Sequence, residues 1–245
     1  MRSTRLIGRL DIKGKNLVKP INLEGLRIIG NPNEFASKYY KEGIDEIIFM
    51  DTVATLYGRN HLSKIILNTT KDIFVPITVG GGIRSLKDAL SILNCGADKI
   101  AVNTAAVQNP KLVSEIANHI GSQSLIVSIE AKKRTSNSWE VYTSNGRDRT
   151  RIDVIEWVKK LEKLGAGEIL LTSVDQEGTG NGFDIELARA ALQTTELPVI
   201  ISGGLGNIKH LQDLKKNCNL DAVAVADAIH YNKISIRELK NTIEK

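Results

Sequence analysis

Two hydrophobic rhythms alternate along this chain. Short runs of β-branched and other apolar residues, such as Ile47-Ile48-Phe49 and Leu125-Ile126-Val127, recur between longer stretches whose apolar positions are spaced as on one face of a helix. The runs fall at 6–11, 46–51, 77–80, 99–103, 125–130, 168–173, 199–202 and 222–226. Short continuous apolar runs read as strands buried on both faces, the habit of parallel sheets whose crossovers are helices. Helix starts lie between them, as at Asn33-Glu34-Phe35-Ala36 after Pro32 and at Asn109-Pro110-Lys111-Leu112, where a proline suits the first turn.

The pattern repeats. Gly81 and Gly204 lie 123 residues apart, as do Cys95 and Cys218. Gly43-Ile44-Asp45-Glu46-Ile47-Ile48 is matched 122 residues later by Gly165-Ala166-Gly167-Glu168-Ile169-Leu170. Leu10-Asp11-Ile12-Lys13 is matched 119 residues later by Ile129-Glu130-Ala131-Lys132. Small drifts in spacing are what loop insertions cause. Eight strand–helix units in 245 residues predict an α/β chain folded as a single (β/α)8 TIM barrel over 1–245, built from two repeated half-barrels of about 1–120 and 121–245. A doubly wound open sheet is the alternative, but a two-half repeat is less natural there. The barrel's approximate two-fold would hold Cys95 and Cys218 apart, which excludes a disulfide and predicts two buried thiols.

Composition narrows the function classes. A chain that is 42% apolar and 25% charged is an ordinary globular one. No apolar run approaches the roughly 20 residues needed to cross a bilayer. The start, Met1-Arg2-Ser3-Thr4-Arg5, lacks a signal-peptide core, so a cytoplasmic protein without membrane attachment is expected. The net charge of +5 is spread along the chain and aromatics are only 4%, which argues against a nucleic-acid platform and suits a small anionic molecule. His61, His119, His210 and His230 are scattered without ligand spacing, so neither a metal nor an organic cofactor is expected.

In such a barrel, chemistry sits where strands end. Val79-Gly80-Gly81-Gly82-Ile83 and its echo Ser202-Gly203-Gly204-Leu205-Gly206 follow strands introduced by Pro76 and Pro198. Glycines there let backbone N–H groups approach an anion, and a following helix start favours phosphate. With Asn103-Thr104, Thr172-Ser173 and Ser202 on neighbouring ends, two phosphate cups on opposite sides imply a long ligand with an anion at each end. Between them the first strand of each half presents a carboxylate, Asp11 and Glu130. Such a pair can divide acid and base duties, or can merely cap helices and pair with Lys13 and Lys132. At the other end, Arg5, Glu46, Lys99 and Glu168 start four strands. Pointing inward, they close a ring of alternating charge, which is either a structural ion cluster or a gate across a central passage.

With these residues assembled, the chain resembles the cyclase (synthase) subunit of imidazole glycerol phosphate synthase over essentially its whole length. The matches include Arg9-Leu10-Asp11-Ile12-Lys13, Thr78-Val79-Gly80-Gly81-Gly82-Ile83, Val102-Asn103-Thr104-Ala105-Ala106, the run from Gly165 to Ser173, and Ser202-Gly203-Gly204. The resemblance implies a barrel working with a glutaminase (HisH-like) partner, whose ammonia crosses the barrel and attacks a ribulosyl aminoimidazole carboxamide nucleotide carrying two phosphates. Ring closure and cleavage then give imidazole glycerol phosphate and aminoimidazole carboxamide ribotide. It also implies that Asp11 is one of two acid/base carboxylates, that Arg5, Glu46, Lys99 and Glu168 form the ammonia gate, and that Asp98 touches the partner. Lys19 falls on a mobile first loop, Gly82 and Thr104 at one phosphate, and Gly178 and Gly204 at the other.

The departures cluster around the substrate. Glu130 stands for the family's second aspartate, and its extra methylene moves the carboxyl by about 1 Å, enough to cost on the order of 100-fold in rate. Asp227 replaces a serine in the second cup, where a carboxylate about 4 Å from a phosphate is repelled by roughly 4 kcal/mol. Pro20 replaces a loop glycine, Ile28-Ile29 replace polar residues, Arg9 replaces a small residue and Glu177 an aspartate. Delivery of ammonia to another acceptor, such as a nucleotide-linked sugar of a surface polysaccharide, is therefore the alternative function. An isomerase barrel for sugar phosphates and a non-catalytic scaffold for the glutaminase are further ones, the former disfavoured by the gate ring.

Overall fold

The computed structural model describes residues 4–54 and 62–244, so His61 lies outside the described residues. The strands are β1 (Arg5–Lys13), β2 (Asn16–Ile21), β3 (Glu24–Gly30), β4 (Glu46–Asp51), β5 (Ile77–Gly80), β6 (Lys99–Val102), β7 (Leu125–Thr135), β8 (Ser138–Thr143), β9 (Asp148–Asp153), β10 (Glu168–Ser173), β11 (Val199–Ser202) and β12 (Ala222–Val225). Each apolar run of the sequence supplies one barrel strand. Going round, β1, β4, β5, β6, β7, β10, β11 and β12 pair in parallel, and β12 returns to β1 through registers such as Ile7 beside Ala224. This is a closed (β/α)8 TIM barrel with helices between its strands.

Successive side chains on each strand divide between two apolar regions. Leu6, Leu10, Ile47, Phe49, Val127 and Ile129 face the helices, and Ile7, Ile48, Ile126, Leu170 and Ile200 fill the barrel with Ala101, Ala222 and Ala224 among them. The helices bury the complementary face: in Val154–Leu164, Val154, Trp157, Val158 and Leu161 point inward behind an Asp153 cap. Asp45, Asp98 and Asp221 tie the lower edge together, accepting from the backbone N–H groups of Leu6 (2.8 Å), Ile77 (2.8 Å) and Val199 (3.1 Å). Gly167 stands at the matching place in the other half, where a Cβ would lie 1.8 Å from the Ser122 carbonyl oxygen, so only glycine fits. Cys95 and Cys218 are free as expected but only half-buried, because each follows a helix at the barrel's outer edge.

The first strand of each half overruns its predicted end. β1 reaches Lys13 and folds back as the β2–β3 hairpin, and β7 reaches Thr135 and folds back as β8–β9. Left-handed residues make the turns: Asn22 and Leu23 in one hairpin, Ser144, Asn145 and Gly146 in the other. The two hairpins stand over the barrel mouth and meet there, with Asn145 Nδ2 donating to the Leu23 carbonyl at 3.1 Å.

Candidate active site

Four charged side chains close the barrel floor. Arg5 Nη1 lies 2.6 Å from Glu46 Oε1, and Arg5 Nη2 pairs with Glu168. Lys99 Nζ completes the circuit at 3.3 Å from Glu46 and 3.2 Å from Glu168. Each cation thus bridges both carboxylates. Burial opposes the Arg5 charge, but Glu168 and Glu46 outweigh it and push its pKa upward. Asp98, next in sequence to Lys99, is exposed beside this ring while one of its oxygens holds the Ile77 N–H. Above the ring, the lumen is lined by the inner apolar residues up to Met50 and Ala101.

At the mouth, Asp11 and Glu130 are both buried. Neither pairs with the lysines that follow them: Lys13 is exposed, and Lys132 lies over the Tyr142 ring. Asp11 Oδ1 instead accepts from Arg9 Nε at 3.0 Å, and Asp11 Oδ2 is buried with no hydrogen-bond partner among the described residues. Glu130 Oε2 accepts from the Gly146 N–H at 2.7 Å. Burial raises the Glu130 carboxyl from its ordinary range to about 7, against the pull of Gly146 and Arg9. One carboxylate held by a cation beside one poised near neutrality is the arrangement that lets a base and an acid work together.

The raised group also sets a pH dependence. Between about 4.5 and about 7 the folded chain keeps a proton on Glu130 that the unfolded chain releases, so stability falls as the pH rises through that window. The cost is on the order of 3 kcal/mol above it. Glu130→Gln should therefore lose less stability than the unmodified chain between about pH 5 and about pH 8, measured by urea denaturation. Equal losses would show that the carboxyl ionises freely.

The two glycine-rich cups differ sharply. Gly81, Gly82, Asn103 and Thr104 line a chamber of about 520 Å³ that also reaches Arg9, Glu130 and Asn145. Positive φ angles at Gly81 (99°) and Gly82 (70°) turn the backbone there. The second cup, with Gly178, Ser202, Gly203 and Gly204, encloses only about 20 Å³, room for about one water. Its space is taken by Lys19 and Glu177, both buried and paired with each other. Burial alone would raise the Glu177 pKa, but Lys19 and Arg9 bring it below the usual carboxylate range. Asp227 sits on the same cup and pairs with Lys233. Lys19 is carried there by the β2–β3 hairpin, whose Asn22 N–H donates to the Glu177 carbonyl at 2.7 Å. Pro20 belongs to β2 and packs so close to Gly178 that a Cβ there would lie 2.5 Å from the Pro20 carbonyl oxygen.

Thr172 and Ser202 reach the lumen from β10 and β11, where Arg9 Nη1 donates to them at 2.9 and 3.5 Å. The β8–β9 turn enters the site without being marked by any of the motifs above: Gly146 holds Glu130, and Ser144 donates its N–H to Thr104 Oγ1 at 3.1 Å. The signal was present as Asn145-Gly146 after the alternating run Trp139-Glu140-Val141-Tyr142. Among the described residues no group of histidine, cysteine, aspartate and glutamate is arranged to hold a metal ion, and none of the described helices is long and apolar enough to cross a membrane.

Comparison with known proteins bears on the same chain. A family described as "Histidine biosynthesis protein" matches residues 5–235. The chain is similar to the imidazole glycerol phosphate synthase subunit HisF of Legionella pneumophila, with 58% identity over 209 residues, covering 85% of this chain and 99% of that protein. It is 44% identical to HisF of Clostridium botulinum over 246 residues, covering 100% and 97% of the two chains. With HisF of Bacillus cereus the identity is 42% over 243 residues, covering 99% and 96%.

Proposed function

The chain belongs to the histidine biosynthesis protein family, among the HisF subunits of imidazole glycerol phosphate synthase, and we propose that its barrel conducts ammonia from floor to mouth and uses it there for ring closure. The observation that carries this reading is one axis: a closed charge ring at the floor, an apolar lumen above it, and Asp11 with Glu130 at the top. A neutral molecule of ammonia crosses apolar residues more easily than an ion does, and it emerges beside two carboxyl groups able to move protons.

In this reading a HisH-like glutaminase docks on the floor near Asp98, and Arg5, Glu46, Lys99 and Glu168 are the gate. The acceptor is the ribulosyl aminoimidazole carboxamide nucleotide, and the products are imidazole glycerol phosphate and aminoimidazole carboxamide ribotide. One phosphate rests on Gly82, Asn103 and Thr104. The other takes the cup of Gly178, Ser202, Gly203 and Gly204 once Lys19 leaves Glu177, with Thr172 between them. The reaction calls for no metal or organic cofactor, and its place is the cytoplasm, in a single barrel domain of two repeated halves. The names of the relatives favour this acceptor over the nucleotide-linked sugar that Glu130, Asp227 and Pro20 suggest.

The test is direct. The purified chain, given the ribulosyl nucleotide and ammonium ions, should release the two products in equal amounts. Glutamine should replace ammonium only when the glutaminase is added. No product under either condition would overturn the reading.

A further inference from the structure

Arg9 is a buried cation in the middle of the mouth, on the first strand two residues below Asp11. Its side chain crosses the lumen from β1 to β10 and β11. Nε is fixed on Asp11 at 3.0 Å, and Nη1 on Thr172 at 2.9 Å with a longer contact to Ser202 at 3.5 Å. Nη2 makes no hydrogen bond among the described residues, and Arg9 lines the same chamber as Glu130, Met50 and Ala101. Met50 and Ala101 are also the top of the apolar lumen. The guanidinium therefore stands where the passage opens into the chamber, pinned by its other nitrogens. A guanidinium is always protonated and only donates, so it serves as neither base nor nucleophile. What it can do is hold an acceptor atom in which negative charge develops.

We propose that Arg9 is a catalytic residue that binds the acceptor's carbonyl oxygen through Nη2 while ammonia adds to the carbonyl carbon. The inference rests on the ammonia-dependent reading above and adds to it the group that receives the developing charge. The ammonia lone pair forms the C–N bond, and the carbonyl π pair moves onto oxygen beside Arg9. A proton then passes from the new ammonium to that oxygen by way of Asp11 or Glu130. Ammonia and ketone become a carbinolamine, with nothing oxidised or reduced. The competing account is that Arg9 only braces the Asp11 side chain and balances its charge.

The two accounts differ in kinetics. With the ribulosyl nucleotide and saturating ammonium ions, Arg9→Met should lower kcat by about 100- to 1,000-fold, the usual effect of losing an oxyanion donor, with KM within about threefold. The loss should persist on the high-pH plateau of kcat. If Arg9 only balanced a neighbouring negative charge, raising the pH would make up for its loss and activity would recover there. Thermal unfolding checks that the variant folds, and Arg9→Gln carries the same expectation if Arg9→Met does not. Recovery at high pH, or kcat within about threefold of the unmodified chain, overturns the inference while leaving the ammonia-dependent reading intact. Absence of turnover in the unmodified chain overturns both.

Discussion

Asp11→Asn is expected to reduce ammonium-supported turnover by at least about a thousandfold, the upper part of the range for loss of a positioned acid or base. Asn keeps the shape and can still accept from Arg9 Nε through its amide oxygen. It loses the charge and the proton affinity. The second oxygen, Oδ2, is the one that matters, because it is buried with no hydrogen-bond partner among the described residues and so keeps an unused acceptor position. In the variant that position becomes either an amide N–H donor or a neutral oxygen, and neither accepts a proton near neutral pH. The change has a structural cost as well. Arg9 loses the nearest of the carboxylates that hold its charge and keeps Glu177 and Glu130. Removing one partner of a buried ion pair commonly costs about 3–5 kcal/mol, so a lower melting temperature should accompany the loss of rate. Glutamine hydrolysis by the partner should continue, since the proposed docking face lies at the floor, away from Asp11. A chain that served only as a scaffold would lose nothing after ammonia release. Retention of a tenth or more of the ammonium-supported rate would therefore sink the assignment of Asp11.

Most of the barrel could be read from the chain because its strands are buried on both faces and their apolar runs are unbroken. The ends at Asp51, Gly80, Ser173 and Ser202 fall where the runs predict them. The strand ends at Lys13 and Thr135 do not, because the antiparallel hairpins there alternate polar and apolar residues and merge with the strands that feed them. Candidate chemistry was legible where it lay at matching positions in the repeat, as with Asp11 and Glu130 on the first strand of each half. It was hidden where a turn folds back from a distance, as Gly146 does onto Glu130 from 16 residues away. The equivalence of the two glycine cups was the least reliable expectation. Sequence repeats alike in glycine say nothing about the side chains that enter from loops, and Lys19 with Glu177 fills one cup while the other stays open. Arg9 was visible as an oddity within a strand, but its three partners come from β1, β10 and β11, and no local pattern joins them.

Opening the floor should separate two activities that a gate couples. Arg5 binds Glu46 and Glu168 at once, so Arg5→Ala leaves two largely buried carboxylates sharing Lys99. Like charges in one site cannot both remain ionised without cost, and the ring has to rearrange or admit water. Glutamine-supported turnover, measured with the glutaminase bound, is expected to fall about tenfold or more. Ammonium-supported turnover should stay within about twofold, because Asp11, Glu130 and the open cup lie at the other end of the lumen. The ratio of the two rates is the quantity to follow, since a general loss of folding would lower both together. Should the ratio stay unchanged in a variant that still binds its partner, the four charges would be a structural clamp on the barrel's lower edge, and ammonia would have to reach Asp11 and Glu130 by another path.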